Sequence, residues 1–273
     1  MPADAPPTVS VVTTAYQAER HVARALRSAA AMAGGWPVEI LLFDDGSTDG
    51  TAETADRVAD EIPEISVIRG GRCGRAAALN RAVSAARGRY VAILDADDIA
   101  LPNRLTATLP MLETGFGLAM TCSEALVFEG TAPASPAGDL TRTEEHDVSP
   151  AALYVSNRLV HSTVLFRRDA WEAAGGYDEQ LDVCVDYSFY FRLLRVGGIR
   201  QSSAVTCLRQ RRGDSYFAEK SHRSYTDALA RIRAEARATL PIPLWAQLAA
   251  TAQNAKLGAE ALAHYFHPRR GAA

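Results

Sequence analysis

The fold is indicated by the stretch Tyr90-Val-Ala-Ile-Leu-Asp-Ala-Asp-Asp-Ile99. Its apolar half predicts a buried strand, and its second half carries three carboxylates within four residues, Asp95, Asp97 and Asp98. Carboxylates so close together raise one another's pKa unless positive charge lies between them. Mg²⁺ would supply that charge, since it is commonly shared between protein carboxylates and substrate phosphates. An acidic loop that caps the helix near Pro102 is the alternative that this stretch leaves open.

The sequence before this strand alternates between strand and helix patterns. Strands are predicted at residues 9–15, 38–43, 65–68 and 90–94. Helices are predicted over residues 22–32, 51–62 and 76–86. This alternation implies βαβ crossovers and a parallel sheet, in which ligands bind beyond the carboxyl ends of the strands. Three of the strands end in polar sequence, at 13–17, 44–49 and 95–98, so we expect these segments to face one crevice.

The alternation breaks down from residue 116. Further strands are predicted at 117–128 and 160–166, and a helix over 186–196. The segment 129–150 is rich in Gly, Pro, Ala and Thr and predicts a loop, for which a substrate lid is one use. Residues 218–238 and 243–266 predict two closing helices.

The composition is that of a soluble globular protein of 273 residues, with 48% apolar and 22% charged residues. The net charge of −3 gives no general attraction to nucleic acid, so no nucleic-acid partner is expected. Four widely spaced cysteines without a CxxC pair predict reduced thiols rather than zinc or disulfides. No signal peptide and no run of eighteen apolar residues is apparent. A cytoplasmic protein is therefore expected.

Two glycine-containing segments add to the predicted crevice. Asp44-Asp-Gly-Ser-Thr-Asp-Gly50 follows a strand directly, and a carboxylate there, Asp45, could accept the imide N–H of uracil. Gly70-Gly-Arg-Cys-Gly-Arg75 precedes a helix, where the Arg75 guanidinium and free N–H groups favour phosphate. Neither the GK[ST] ending of a Walker loop nor GxGxxG after the first strand is present. These absences argue against a kinase, an NTPase or a dehydrogenase.

Four segments in order resemble the family 2 nucleotide-sugar glycosyltransferases, which have the GT-A fold. They are Val9-Ser-Val-Val-Thr-Thr-Ala-Tyr16, Asp44-Asp-Gly-Ser-Thr-Asp-Gly-Thr51, Gly74-Arg-Ala-Ala-Ala-Leu-Asn80 and Leu94-Asp-Ala-Asp-Asp98. The resemblance covers roughly residues 8–212. It implies an α/β fold with a Rossmann-like, mostly parallel central sheet flanked by helices, followed by a C-terminal helical extension.

The resemblance also implies how the nucleotide is bound. Residues matching Thr14, Ala15 and Tyr16 pack around the base, and the acid matching Asp45 bonds to uracil. The basic residue matching Arg75 approaches the nucleotide. A UDP-sugar is therefore the favoured donor.

Metal dependence is implied in the same way. The acids matching Asp97 and Asp98 reach the ribose and the metal-bound diphosphate, and Mg²⁺ or Mn²⁺ is expected to be held mainly by Asp98, with Asp97 as the second candidate ligand.

The second half of the sequence extends the resemblance to the acceptor side. Gly175-Gly-Tyr-Asp-Glu179 and the segment from Val185 to Leu194 match the family's acceptor region. The acid matching Asp186 is the general base of inverting members, although the usual Glu-Asp pair is Val185-Asp186 here. An N-cap on an ordinary helix is the alternative for Asp186. The QxxRW motif of processive members is absent, because Gln210-Arg-Arg-Gly-Asp214 stands in its place, which argues against a polysaccharide synthase.

The chain is therefore expected to be an inverting, metal-dependent glycosyltransferase. Residues 1–115 would form the nucleotide-sugar half, 116–215 the acceptor half, and 216–273 the helical extension. The acceptor would be a hydroxyl of a glycan, a lipid-linked sugar or a small metabolite. Two alternatives remain, a non-catalytic nucleotide-sugar-binding protein and a nucleotidyltransferase. The Gly-rich segment typical of the latter after the first strand is replaced by Thr14-Ala-Tyr-Gln17.

Three further features of the sequence each have more than one interpretation. His161 either contacts a phosphate or acceptor, or is a buried, hydrogen-bonded histidine. Arg212 and Tyr216 are candidates to close over the diphosphate. The helix predicted over 243–266 packs on the catalytic domain or a second copy, or binds the inner face of a membrane peripherally.

Overall fold

The computed structural model describes residues 7–133, 144–211 and 222–253. Within these residues, nine strands form one sheet. The strands are β1 (Val9–Ala15), β2 (Val38–Asp44), β3 (Ile65–Arg69), β4 (Tyr90–Ile93), β5 (Ile99–Ala100), β6 (Leu118–Phe128), β7 (Glu145–Asp147), β8 (Leu165–Arg167) and β9 (Gly198–Gln210). The helices are α1 (Val22–Ala31), α2 (Thr51–Glu61), α3 (Arg75–Ala85), α4 (Arg104–Thr114), α5 (Pro150–Val155), α6 (Arg168–Ala174), α7 (Val185–Leu194) and α8 (His222–Thr239).

The strand order is β3-β2-β1-β4-β8-β6-β9-β5, and β7 also pairs with β9. The first four strands are parallel, as the βαβ pattern predicted. Beyond β4 the pairing is mixed, because β8 runs antiparallel to both β4 and β6, whereas β6 and β9 are parallel. The predicted α/β class is confirmed, but the parallel arrangement holds for the N-terminal strands and not for the whole sheet.

The sheet is buried on both faces. Along β1, Val12 packs into one apolar cluster while Val9 and Val11 pack into the other, since successive side chains of a strand point to opposite faces. Strands covered on both sides are apolar throughout rather than alternating, which is why β1 appears in the sequence as a continuous β-branched run. The carboxyl ends of β1, β2 and β4 therefore emerge together at one edge of this buried core.

The strand predicted at 160–166 is wrong over its first half. Residues His161–Thr163 form a 3₁₀ turn, and only the short strand β8 follows. Thr163 Oγ1 donates to the Val160 carbonyl at 2.8 Å, a local bond that competes with strand pairing. The turn places the Ser162 hydroxyl against the acidic end of β4, which a straight strand would not do.

The predicted loop 129–150 contains regular structure at its C-terminal end. Strand β7 lies within it, and α5 begins at Pro150 with the Ser149 hydroxyl accepting from Ala152 N at 3.0 Å. Residues 134–143 lie outside the described residues. The substrate lid expected in the segment 129–150 therefore stays a prediction.

The first closing helix is confirmed as α8. A second helical segment begins at residue 244 and reaches residue 253, and the remainder of the predicted helix, 254–266, lies outside the described residues. Ala246 and Ala250 are buried in the main apolar cluster, so this segment packs on the domain. Its opposite side exposes Leu244, Trp245 and Leu248. Across the described ranges, no helix has both the length and the apolar character needed to cross a membrane.

A buried carboxylate joins the starts of the central strands. Glu39 accepts hydrogen bonds from Ser10 Oγ at 2.5 Å, from Arg87 N at 2.6 Å and from Arg87 Nε at 2.9 Å. Burial raises the pKa of Glu39, but the hydrogen bonds from Ser10 and Arg87 outweigh burial and leave the pKa below its ordinary value.

We expect Glu39→Gln to lower the free energy of unfolding at pH 7 by about 1.5–3 kcal/mol, because hydrogen bonds to the charged carboxylate are lost. The folded-state pKa is depressed, so this stability is present above the unfolded value of 4.5 and is lost as the pH falls through the folded pKa. Melting temperatures measured below pH 5 should therefore fall less steeply in Glu39→Gln than in the wild type. Glu64→Gln, at an exposed carboxylate, is the control. Parallel pH profiles for wild type and Glu39→Gln would contradict this role.

Candidate functional site

A cleft of about 390 Å³ opens at the carboxyl ends of β1, β2 and β4. The cleft is lined by Thr14, Ala15, Tyr16, Ala18, Asp45, Arg72, Arg75, Ala78, Asp95, Ala96, Asp97, Asp98, Val127, Arg209, Gln210 and Arg211. The residues that the four matching segments assign to the nucleotide or a metal are all among them. The crevice expected from the three polar strand ends is thus present, although only Asp45 of the segment 44–49 lines it.

One end of the cleft is built around Asp45, which is buried. Its carboxylate accepts from Cys73 N at 2.7 Å and from Gly74 N at 3.1 Å, and it forms an ion pair with the Arg72 guanidinium. The Arg72 guanidinium also lies 3.8 Å from the ring centre of Tyr16, a cation–π contact. An exposed aromatic face beside a buried carboxylate is an arrangement that can bind a nucleobase by stacking and by its edge.

The two loops that form this end approach each other closely at Gly46. Gly46 has a φ of +72°, and a Cβ there would lie 2.7 Å from Arg72 N. Gln17 braces the same loop from the other side, since its Oε1 accepts from Thr48 N at 2.8 Å and its backbone N donates to Ser47 Oγ at 3.0 Å. Gly46 and Gln17 together fix the position of the loop that carries Asp45.

The acidic cluster at the end of β4 consists of two half-buried carboxylates, Asp95 and Asp97, and one buried carboxylate, Asp98. Arg75 Nη2 donates to Asp95 Oδ1 at 2.7 Å. Burial raises the pKa of Asp95, but the Arg75 guanidinium outweighs it and holds the pKa below its ordinary value. Asp98 is buried, and burial together with the charges of Asp95 and Asp97 raises its pKa to about 7. The three carboxylates of the cluster are therefore stabilised unequally.

The position of Asp98 bears on its predicted role as the main metal ligand. Both of its oxygens accept bonds from within the protein, Oδ2 from Ser162 Oγ and Oδ1 from Gln210 N at 2.9 Å. Asp97 is only half-buried and lines the cleft, so it is the better placed carboxylate. Among the described residues no three His, Cys, Asp or Glu side chains are arranged to hold a metal ion by themselves. The donor set instead fits a cation shared with a diphosphate, which needs one or two protein carboxylates.

Asp186 lies beside the cleft without lining it. It stands in the first turn of α7, where Cys184 is the N-cap residue, so the alternative that Asp186 is a helix cap is wrong. Asn157 Nδ2 donates to Asp186 Oδ2 at 3.3 Å. Burial lowers the pKa of Arg75, but Asp95 and then Asp186 raise it above its ordinary value, which places the Asp186 charge close to a cleft residue.

His161 is a buried, hydrogen-bonded histidine, as the second interpretation of it predicted. Its Nδ1 bonds to Tyr190 OH at 3.0 Å and its Nε2 to Tyr177 OH at 3.2 Å. Burial lowers its pKa to about 4, so the ring is neutral near pH 7. His161 joins α7, which carries Asp186, to the loop before it.

Several cleft residues were missed as site residues by the sequence analysis. Arg72 and Asp95 lie inside the glycine-containing and acidic segments quoted above, but in those segments the sequence predicts site roles for Arg75, Asp97 and Asp98. Arg209 and Gln210 come from the end of β9, more than a hundred residues after the acids. Gln210 begins the segment that stands in place of QxxRW, and no local pattern marks Arg209. The Arg209 side chain is exposed and makes no hydrogen bond or ion pair with another described residue, although its charge lowers the pKa of Asp95. Arg212 and Tyr216 lie outside the described residues.

Comparisons with known proteins agree with this geometry. The protein-family model described as Glycosyl transferase family 2 matches residues 10–134. The chain is 26% identical over 216 residues to hyaluronan synthase of Pasteurella multocida, across 78% of this chain and 21% of the relative. The chain spans only 21–30% of the length of this synthase and of two chondroitin synthases, from Pasteurella multocida and Escherichia coli.

Solved structures show the same architecture. Staphylococcus aureus TarS residues 1–349, in complex with UDP-GlcNAc, aligns with a TM-score of 0.65 and 18% identity, over 84% of this chain and 66% of that one. The mannosyltransferase PcManGT from Pyrobaculum calidifontis, in complex with GDP-Man and Mn²⁺, aligns with a TM-score of 0.64 and 20% identity, over 95% and 76%.

The structural likeness establishes the GT-A fold. The match of residues 10–134 to the family 2 model confirms the resemblance seen in the sequence.

The close approach at Gly46 predicts a specific sensitivity. Gly46→Ala should lower the free energy of unfolding by about 1–3 kcal/mol, because the new methyl group meets Arg72 N and the backbone is in the left-handed region. Gly71→Ala is the matched control, since a Cβ there has nothing within 4 Å. Urea denaturation of both variants measures the difference. Equal stabilities of the two variants would show that this contact does not constrain the loops.

Proposed function

We propose that this chain transfers a sugar from a nucleotide diphosphate sugar to an acceptor hydroxyl. The proposal rests on one observation, that the residues matching the family's nucleotide-binding and metal-binding positions line one cleft. The cleft has an aromatic face and a carboxylate at one end, and acidic and basic side chains at the other. A nucleotide diphosphate has the same division into a flat base and a charged tail.

The diphosphate end of the proposed site combines both signs of charge. Arg75 is already paired with Asp95, whereas Arg209 points a guanidinium into the cleft without a hydrogen-bonded protein partner in the described ranges. Arg209 is therefore the cation that we assign to phosphate oxygens, because a guanidinium matches their geometry. Asp97, with Asp98 behind it, would hold Mg²⁺ or Mn²⁺. Such an ion, when bound, would neutralise charge on the departing diphosphate.

Asp186 is the proposed general base. It would take the proton of the acceptor hydroxyl as that oxygen forms a bond to the anomeric carbon, while the bond to the diphosphate breaks and its electron pair leaves with the diphosphate. A carboxylate is a weak base for an alcohol, so proton transfer must accompany bond formation. Asn157 would orient the carboxylate through its hydrogen bond. Attack from the face opposite the leaving group would invert the anomeric configuration.

A UDP-sugar is the favoured donor, because a carboxylate at the position of Asp45 complements the imide N–H of uracil. The acceptor is assigned only as a hydroxyl of a glycan, a lipid-linked sugar or a small metabolite. The exposed Leu244, Trp245 and Leu248 supply a surface for peripheral membrane contact or for a second copy of the chain. Nucleic acid is not proposed as a partner.

If Asp186 is the general base, its substitution should lower turnover without weakening donor binding. Asp186→Asn should lower kcat by at least about 100-fold, since general-base help is typically worth about 10²–10⁴-fold, while donor affinity stays near that of the wild type. Sugar transfer from a panel of UDP-, GDP- and dTDP-sugars measures turnover, and calorimetry measures donor binding. Asp182→Asn, at an exposed carboxylate on the same segment, is the control.

The stereochemistry of the product provides the complementary readout. Proton NMR coupling at the anomeric position of the transferred sugar should show the configuration opposite to that of the donor. Retained configuration, or unchanged turnover in Asp186→Asn, would contradict the proposed mechanism. Donor binding without any transfer would favour the non-catalytic nucleotide-sugar-binding protein.

A further inference from the structure

The base end of the cleft is filled by a side chain of the protein itself. The Arg72 guanidinium lies 3.8 Å over the ring centre of Tyr16 and forms an ion pair with Asp45. These are the two features that a nucleobase would use, an aromatic face for stacking and a carboxylate for its edge. Arg72 therefore stands where the base of the proposed donor would bind.

The contacts of Asp45 show that Arg72 can leave without exposing an unpaired buried charge. Asp45 keeps its hydrogen bonds from Cys73 N and Gly74 N, which come from the backbone and do not depend on the Arg72 side chain. The Arg72 side chain is 41% exposed, so its guanidinium is readily solvated once released. Partly exposed ion pairs and cation–π contacts are individually weak. A base with a suitable edge can displace this guanidinium.

We propose that Arg72 selects the nucleobase by competing with it for Asp45, an inference that rests on the proposed function. Uracil carries an N–H donor at its N3 position, so it can replace the guanidinium as the partner of Asp45. Cytosine carries an acceptor nitrogen at that position, so it meets Asp45 unfavourably unless Arg72, once displaced from the Tyr16 ring, stays beside the cleft and donates to it. Arg72 thus weakens the binding of uracil nucleotides and supports that of cytosine nucleotides.

The test is whether removal of the Arg72 side chain changes the affinities for UDP and CDP in opposite directions. Arg72→Ala should bind UDP about 3- to 10-fold more tightly, because the competing ion pair and cation–π contact are gone. The same variant should bind CDP at least about threefold less tightly, because the carboxylate now faces an acceptor without a donor between them. Calorimetry of UDP and CDP with the full chain, at one fixed Mn²⁺ concentration, measures both.

Two further variants make the result specific. Arg72→Met keeps an unbranched side chain of similar length without the charge and should change both affinities in the same directions as Arg72→Ala. Arg69→Ala removes an equal charge and an exposed ion pair with Asp56, outside the cleft, and should leave both affinities unchanged.

Weaker UDP binding in both Arg72 variants, or equal changes for UDP and CDP, would overturn the inference while leaving the proposed function in place. A wild-type chain that binds neither nucleotide would instead overturn the proposed function, and this inference with it.

Discussion

Repulsion among the carboxylates at the end of β4 is the constraint on which the site depends. Asp95, Asp97 and Asp98 follow one strand within four residues, and the protein balances them unequally. Arg75 pairs with Asp95, and hydrogen bonds from Ser162 and Gln210 N hold Asp98. Beneath them the fully buried Arg104 donates to the carbonyls of Ile93 and Val164, at 2.6 and 3.1 Å. Asp97 lines the cleft and is half-buried, so a cation in the cleft can reach it.

The opposite end of the cleft is organised by backbone rather than by charge balance. Asp45 receives two backbone N–H groups, and the loops that carry them meet at Gly46, where no side chain fits. A carboxylate held in this way keeps its place when its third partner, Arg72, moves. In the proposed function, the fixed end selects the base and the charged end binds the diphosphate. Asp186, on α7 beside the cleft, is then the carboxylate on the acceptor side.

Much of this arrangement follows from local sequence. The first four strands and the helices between them were predictable from their apolar patterns. The acids at the strand ends were predictable as site residues, because polar residues that follow strands of a parallel sheet lie at the edge where ligands bind. The mixed pairing beyond β4 was not predictable, because short strands such as β8 lack a pattern of their own. At the 3₁₀ turn that replaces the first half of the predicted strand, the Thr163 hydroxyl bonds to the Val160 carbonyl. Arg209 and Gln210 reach the site only through the position of β9, which is a property of the tertiary structure. The burial of Asp98 was likewise not predictable, since sequence spacing does not distinguish Asp98 from Asp97.

The proposed function requires that this cleft bind a nucleotide diphosphate together with a divalent cation. The most direct measurement is a calorimetric titration of UDP into the wild type and Asp97→Asn, each in Mn²⁺ and in EDTA. We predict that Mn²⁺ raises the affinity of the wild type by at least about tenfold, or about 1.4 kcal/mol, and that Asp97→Asn loses this gain. Equal affinities of the wild type with and without Mn²⁺ would contradict the claim.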